Sequence, residues 1–492
     1  MSDFHGTVSE IALCITIRTP LVVVRTDERD RAECALKEVA NKLNIPVEYH
    51  VALDGYKTLG AEGESKAVDN PLDYAVQEIK KGNTAVFALG DTRGLTKGGA
   101  LVDKAVALVR LAQEKGTSVI LVTDETIDEG LGKLGTFVTL DLPSKKEREA
   151  MIRDFITKHR IRTLPPEKIS QVAVVLGGYT ALQLMTVMNY ALCTGDGFTF
   201  DNLCKVAMNK GMIFGKNPAV RQIKVRNVQV AGMEGVKEWL LKKQKIFYSP
   251  DEELNAKFLN PPRGVLMVGV PGCGKSLTAR LISLQWRLSL YRFDLGAVFS
   301  ESVGASEANL RSALDYIGRV SPCIVWIDEI EKELAVGKDN AAAQRILGAF
   351  LFWLQENANR VFLIATANDL TRLPPELFRK GRFDEVFFVD LPTESERKSA
   401  INLFAKLSLT VRLTEEEVDA LAKISEGFSY ADIEWAIKTV AEEEYTLGMC
   451  GSYSRLDSVF QRTVSTLARN REYIETLRKW GKASAASASG RK

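Results

Sequence analysis

Apolar positions fall into two patterns along this chain: short solid runs and longer stretches with a helical period. Residues 20–25, Pro-Leu-Val-Val-Val-Arg, carry apolar side chains on both faces and predict a buried strand. Residues 29–43 place apolar positions three and four apart and predict an amphipathic helix. The alternation continues with a helix over 74–81, a strand over 84–89, a helix over 101–114 and a strand over 118–123. Strands separated by helices predict a parallel α/β sheet.

The second half repeats the pattern with stronger runs. Residues 264–269, 323–327 and 361–368 are almost wholly apolar and predict central strands; 236–247 and 277–286 read as helices. Two segments echo each other across the halves. Leu142-Pro-Ser-Lys-Lys-Glu-Arg148 resembles Leu391-Pro-Thr-Glu-Ser-Glu-Arg397, and Gly178-Tyr-Thr-Ala resembles Gly427-Phe-Ser-Tyr, both at an offset of 249 residues. Ser144 with Glu147, and Thr393 with Glu396, each form a capping-box pattern. The expected organisation is a degenerate α/β domain over 1–210 with a helical tail over 143–210 and a linker over 211–226. A large α/β subdomain over 227–390, a helical lid over 391–480 and a disordered tail over 481–492 follow.

Candidate chemistry gathers behind the strands of the second half. Gly269-Val270-Pro271-Gly272-Cys273-Gly274-Lys275-Ser276 fits G-x-x-x-x-G-K-[ST] between a predicted strand and a predicted helix that begins at Leu277. The glycines let backbone N–H groups face phosphate oxygens, and the helix N-terminus adds partial positive charge. Lys275 is expected on the β- and γ-phosphates of ATP, and the Ser276 hydroxyl on Mg²⁺. Asp328 and Glu329 end the strand that starts at Cys323; Asp328 suits Mg²⁺, and Glu329 suits general-base activation of water. Asn368, at the tip of the next strand, suits the γ-phosphate or the attacking water. Arg379 and Arg382, beside Gly381, can offer planar guanidinium groups to a phosphate. The first half has no counterpart: after its first strand it reads Arg25-Thr-Asp-Glu-Arg-Asp-Arg31, without glycine and with acidic groups that repel phosphate.

Composition narrows the alternatives. Net charge is +2, with 46% hydrophobic and 26% charged residues, so nothing points to nucleic acid or anionic lipid as a general partner. The seven cysteines form no C-x-x-C pair, and three histidines (His5, His50, His159) allow no H-E-x-x-H zinc site. No apolar run approaches ~20 residues, and the opening does not read as a signal peptide. A cytoplasmic location, in bacterial cytosol or in plastid stroma, is expected.

Together the motifs at 269–276, 323–329, 368 and 379–382 resemble those of an AAA+ ATPase, in the clade with paired arginines. Gly427-Phe-Ser-Tyr-Ala-Asp-Ile433 is similar to that clade's lid motif. The strings around 326–332, 348–356 and 365–392, with the opening at residue 20, resemble the hypothetical chloroplast reading frame forty-six family. The resemblance implies a ring oligomer, a hexamer, in which Arg379 and Arg382 act on a neighbour's nucleotide. It also implies that Ala231 and Gly232 touch adenine. The expected activity is Mg²⁺-dependent ATP hydrolysis coupled to remodelling of an unidentified protein client. A nucleotide-gated scaffold ring is the alternative, and a nucleic-acid motor is a third reading disfavoured by charge.

Two positions depart from the family pattern. Ser302 stands where many unfoldases carry an aromatic pore residue, which favours the scaffold. Cys273 stands where threonine or serine is commoner; it reads as a small loop filler, with a redox-sensitive thiol as the alternative. Residues 456–480 predict a helical extension of the lid.

Overall fold

The computed structural model describes residues 4–490 apart from 52–54, 61–64, 195, 209–216, 226–228, 250, 300–302, 335–340, 358, 380 and 449–452. Ser302 lies outside the described residues, as does most of the breaker-rich stretch 210–218. The chain forms two compact units, Met1–Leu192 and Cys193–Lys492.

The first unit is built on six strands: β1 Leu21–Arg25, β2 Val47–Val51, β3 Gly55–Leu59, β4 Val86–Leu89, β5 Val119–Thr123 and β6 Gly135–Thr139. Their order across the sheet is β3-β2-β4-β5-β1-β6, parallel except for the β2–β3 hairpin. Successive residues of β1 enter opposite cores, Val22 and Val24 on one face and Leu21 and Val23 on the other. Burial on both faces is why residues 21–24 carry no polar position, and Arg25, the exposed end, is the first. A helix over Phe4–Thr16, which the sequence reading passed over, buries Val8, Ile11, Ala12 and Ile15.

The second unit carries seven strands: β7 Val220–Ile223, β8 Gly264–Gly269, β9 Leu290–Phe293, β10 Cys323–Ile327, β11 Val361–Ala367, β12 Glu385–Val389 and β13 Ala486–Ser487. The order is β13-β12-β8-β11-β10-β9-β7. Val265 and Met267 of β8 face one core with Trp286, and Leu266 and Val268 face the other. The two units repeat one plan. Apart from β13, which adds to the edge of the second sheet, the first long strand (β1 or β8) in each lies between the last parallel strand and the one before that, and an antiparallel strand closes the far edge.

The helical tails repeat as well. Both capping boxes form, Ser144 with Glu147 and Thr393 with Glu396. Arg148 donates to the carbonyls of Pro143 and Ala173; Arg397 donates to those of Pro392 and Ala422, each position 249 residues further on. These arginines hold the first lid helix, Lys145–Lys158 or Glu394–Ser408, onto the next.

The structure corrects two expectations and adds detail to a third. The linker over 211–226 contains β7, an edge strand antiparallel to β9 that was masked in sequence by polar Arg221 and Gln222. Residues 456–480 are helical as expected, in three segments, Tyr453–Arg462, Thr466–Arg469 and Arg471–Ser484. They are broken where Ser465 caps Ala468 and Thr466 turns to bond Asp432. The tail expected to be disordered is placed: β13 pairs with β12, the Ala488 N–H donates to Phe388, and Ala488 is buried. Small residues made this segment look structureless, yet only small residues fit there. A Cβ on Gly481 would lie 2.4 Å from Phe388 Cγ.

Candidate active site

The phosphate loop lies between β8 and the helix Lys275–Trp286. Gly269 ends β8 at φ +151°, where a Cβ would come within 2.0 Å of the Val389 carbonyl oxygen of β12, so a side chain is excluded. Gly274, at φ +83°, turns the chain into the helix. Lys275 is 6% exposed, and its Nζ donates to the carbonyls of Gly269 and Val270, both at 2.8 Å. Burial pulls its pKa down to about 8. Cys273 is fully buried, and burial pushes its thiol up to about 12. Burial works against the redox-thiol alternative, because desolvation opposes the lowering by the neighbouring Lys275 and the helix N-terminus.

The strand tips converge on the loop. Asp328 Oδ1 accepts from Ser276 Oγ at 2.9 Å and from Thr366 Oγ1 at 2.7 Å. Glu329 stands at φ +49°, held there by its N–H donating to Thr366 Oγ1 at 3.1 Å. Asn368 Nδ2 donates to Glu329 Oε1 at 2.9 Å, and the exposed Lys332 reaches Glu329 Oε2 at 2.6 Å. The Asn368 N–H donates to Glu331, a buried carboxyl whose pKa is raised by desolvation, and its carbonyl accepts from Tyr473. Asn368 is thus pinned from three sides.

These groups line a cleft of ≈ 360 Å³. Pro271, Gly272, Gly274, Lys275, Ser276 and Leu277 form its floor, and Asp328, Glu329, Thr366 and Asn368 its inner wall. Phe404, Tyr430, Ala431 and Glu434 of the helical lid form the outer wall. The lid is seated directly on the loop, because the Ala431 N–H donates to the Gly272 carbonyl at 3.1 Å. The donor set suits Mg²⁺ with ATP: a carboxylate oxygen and a hydroxyl meet at one point, leaving a hard cation to complete its shell with phosphate oxygens and water.

Four expected residues stand apart from this group. Arg379 is exposed and Arg382 half-buried on the turn before β12; neither lines the cleft of its own chain, and Arg382 instead donates to the Glu376 carbonyl. Ala231 and Gly232 do not line it either. The segment is tied down through Met233, whose N–H donates to Glu396 and whose sulfur accepts from Thr278. Sequence reasoning missed Thr366, Glu331, Phe404 and Glu434, and it named the lid string that holds Tyr430 and Ala431 without assigning either to the site. Thr366 was within reach, since it lies two positions before Asn368 along one extended run and so shares its face. Phe404 and Glu434 gave no such signal.

Among the described residues, no helix is long and apolar enough to cross a membrane. Residues 265–391 match the family model for the ATPase family associated with various cellular activities (AAA). Residues 7–140 match the model for the SpoVK-like AAA ATPase N-terminal domain. The chain is 29% identical over 482 residues to an uncharacterized AAA domain-containing protein ycf46 of Pyropia yezoensis, covering 96% of each protein. It is 28% identical over 491 residues to the ycf46 protein of Guillardia theta, covering 98% of this chain and 96% of that one. An ATPase family protein 2 homolog of Caenorhabditis elegans is 27% identical over 74% of this chain and 51% of its own length. The chain therefore carries an AAA ATPase domain, residues 265–391, behind a SpoVK-like AAA N-terminal domain, residues 7–140.

Proposed function

We propose that the protein binds ATP with Mg²⁺ at the cleft beside Lys275 and hydrolyses it, coupling turnover to remodelling of a protein partner. The observation that carries this reading is the convergence of Lys275, Ser276, Asp328, Glu329 and Asn368 on one cleft. Lys275 exchanges two backbone carbonyls for phosphate oxygens, and its charge is then met by the β- and γ-phosphates. Ser276 and Asp328 hold Mg²⁺, which when bound neutralises phosphate charge. Glu329, oriented by Asn368, takes the proton of the attacking water. Arg379 and Arg382 serve a neighbouring subunit's cleft in a ring, a hexamer by resemblance, which accounts for their distance from their own. The setting is bacterial cytosol or plastid stroma.

Glu329→Gln tests the assignment. Nucleotide affinity should stay within a few-fold, while turnover drops by roughly 10²–10⁴, the usual contribution of a general base. Hydrolysis at the wild-type rate would refute it. The same variant, trapped with ATP, should retain protein partners that the wild type releases.

Ser302 favours a second reading, a ring that acts by nucleotide-gated assembly. Under that reading, ATP-bound Glu329→Gln delivers the biological output without hydrolysis. Under the first, it does not.

A further inference from the structure

The last helix, Arg471–Ser484, touches the catalytic apparatus at two separate places. Its buried Ile474, Leu477 and Gly481 seat it on the core, with Gly481 against Phe388 of β12. Arg478 clasps Asp390, the residue after β12, through both carboxylate oxygens at 2.8 and 3.0 Å. At one end of this seated helix, the Tyr473 hydroxyl donates to the Asn368 carbonyl. The other groups of Asn368 are already engaged: its N–H on Glu331 at 3.0 Å and its Nδ2 on Glu329 Oε1 at 2.9 Å. Burial pushes the Tyr473 phenol up to about 12, so it keeps its proton and stays a donor at neutral pH. Without that hydroxyl, the Asn368 backbone is held by Glu331 alone, and the amide that aims Glu329 loses a support.

About two turns further along, the Trp480 ring meets the Phe378 ring edge-on, with centroids 5.5 Å apart. Phe378 is bonded directly to Arg379, whose side chain is exposed. The turn that carries Arg379 and Arg382 is fixed at its far end by Asp384, which accepts from the N–H of Gly264 at 2.8 Å. At its near end the anchors are buried Leu377 and the contact between Phe378 and Trp480. Where Arg379 stands therefore depends on a ring supplied by the last helix.

We infer that Tyr473 is a positioning residue for the cleft of its own chain, and Trp480 one for the arginines this chain lends to a neighbour. One helix thereby ties the residue that reads the γ-phosphate in one subunit to the arginine supply of the next. This rests on the reading of the cleft as an ATPase site completed in trans.

The test is steady-state ATP hydrolysis by Tyr473→Phe, Trp480→Leu and Trp480→Phe, each alone and mixed with Glu329→Gln. Tyr473→Phe should lower kcat about three- to tenfold, the worth of one neutral hydrogen bond, with KM for ATP held within about twofold. Trp480→Leu should lower kcat at least about tenfold by displacing the arginine turn. Trp480→Phe keeps a ring on Phe378 and should stay within about threefold of the wild type. Mixing separates the two roles, because Glu329→Gln subunits turn over no ATP but still lend intact arginines. Trp480→Leu should therefore regain at least about threefold per subunit in mixed rings, as Arg382→Ala does. Tyr473→Phe should regain nothing, since its defect lies in its own cleft. The inference is overturned if Trp480→Leu stays silent in rings where Arg382→Ala recovers, or if it no longer enters rings. It is equally overturned if Tyr473→Phe turns over at the wild-type rate or is rescued by mixing. A wild type that hydrolyses no ATP, or an Arg382→Ala variant that stays silent in co-assembled rings, overturns the underlying reading as well.

Discussion

The first unit has a carboxylate where the second has a phosphate loop, and removing it is a quantitative test of how that unit holds together. Glu28 follows β1, and its side chain is only 4% exposed. One carboxylate oxygen accepts from the N–H of Ala181, at the start of the helix Ala181–Cys193; the other pairs with Arg31. Arg31 also donates to the Asp141 carbonyl at 2.7 Å and to Glu147 at 2.9 Å. Glu28 thus acts as a built-in anion at a helix N-terminus, bridging the sheet to the helical tail. Glu28→Ala deletes two charge-assisted hydrogen bonds, each worth about 1.5–3 kcal/mol, but leaves Arg31 paired with Glu147. A loss of about 3–6 kcal/mol follows, which for a unit of this size lowers the midpoint by roughly 6–24 °C. Glu28→Gln keeps an acceptor for Ala181 and should lose about half as much. Calorimetry of the full chain with and without a non-hydrolysable ATP analogue separates the units, since ligand raises only the transition of the unit that binds it. The ligand-insensitive transition should fall in Glu28→Ala and recover in part with added formate. A midpoint within 2 °C of the wild type would refute the bridging role.

Other outcomes follow from the same geometry. Arg382→Ala should abolish most turnover, and mixing it with Glu329→Gln should restore part of it in mixed rings; no recovery in co-assembled subunits would place the arginine in its own chain's site. With its thiol pushed up to about 12, Cys273 carries roughly a thousandth of the thiolate of an unperturbed cysteine at pH 8. Iodoacetamide should label exposed Cys34 and Cys193 and spare Cys273, and mild peroxide should leave the ATPase rate unchanged; labelling of Cys273 in the folded protein would contradict its burial. Above pH 9 the unfolded thiol ionises while the folded one keeps its proton, so this group costs stability as pH rises towards 12. Gly481→Ala should cost about 1–3 kcal/mol by driving a methyl into Phe388, read as a lower midpoint in the nucleotide-sensitive transition.

What the sequence disclosed depended on how local each feature was. The phosphate loop, the Asp328–Glu329 pair and the central strands are contiguous strings whose chemistry or burial is written in neighbouring residues. The matching strings 249 residues apart were legible for the same reason, and in the fold they become matching arginine–carbonyl clamps. The short edge strands β7 and β13 were not legible, because their only strand character comes from a partner distant in sequence. The lid's contact with the 231–232 segment was not legible either, because it brings Tyr430, some two hundred residues later, to Gly232. Similarly, Glu28 read as a charge that repels phosphate, and only the fold brings it to the N–H of Ala181.

The last helix has a practical consequence for anyone handling this protein. Tyr473 bonds the carbonyl of Asn368, the residue that orients Glu329, and the same helix runs on to Ser484 before the chain joins the sheet edge as β13. The Ala488 carbonyl then accepts from the N–H of Val236, and Gly490 packs on Gly235. Deleting residues 486–490 would therefore strip an edge strand from the sheet that carries the catalytic strands and release the end of the helix whose Tyr473 holds Asn368, so turnover should fall in a chain shortened there.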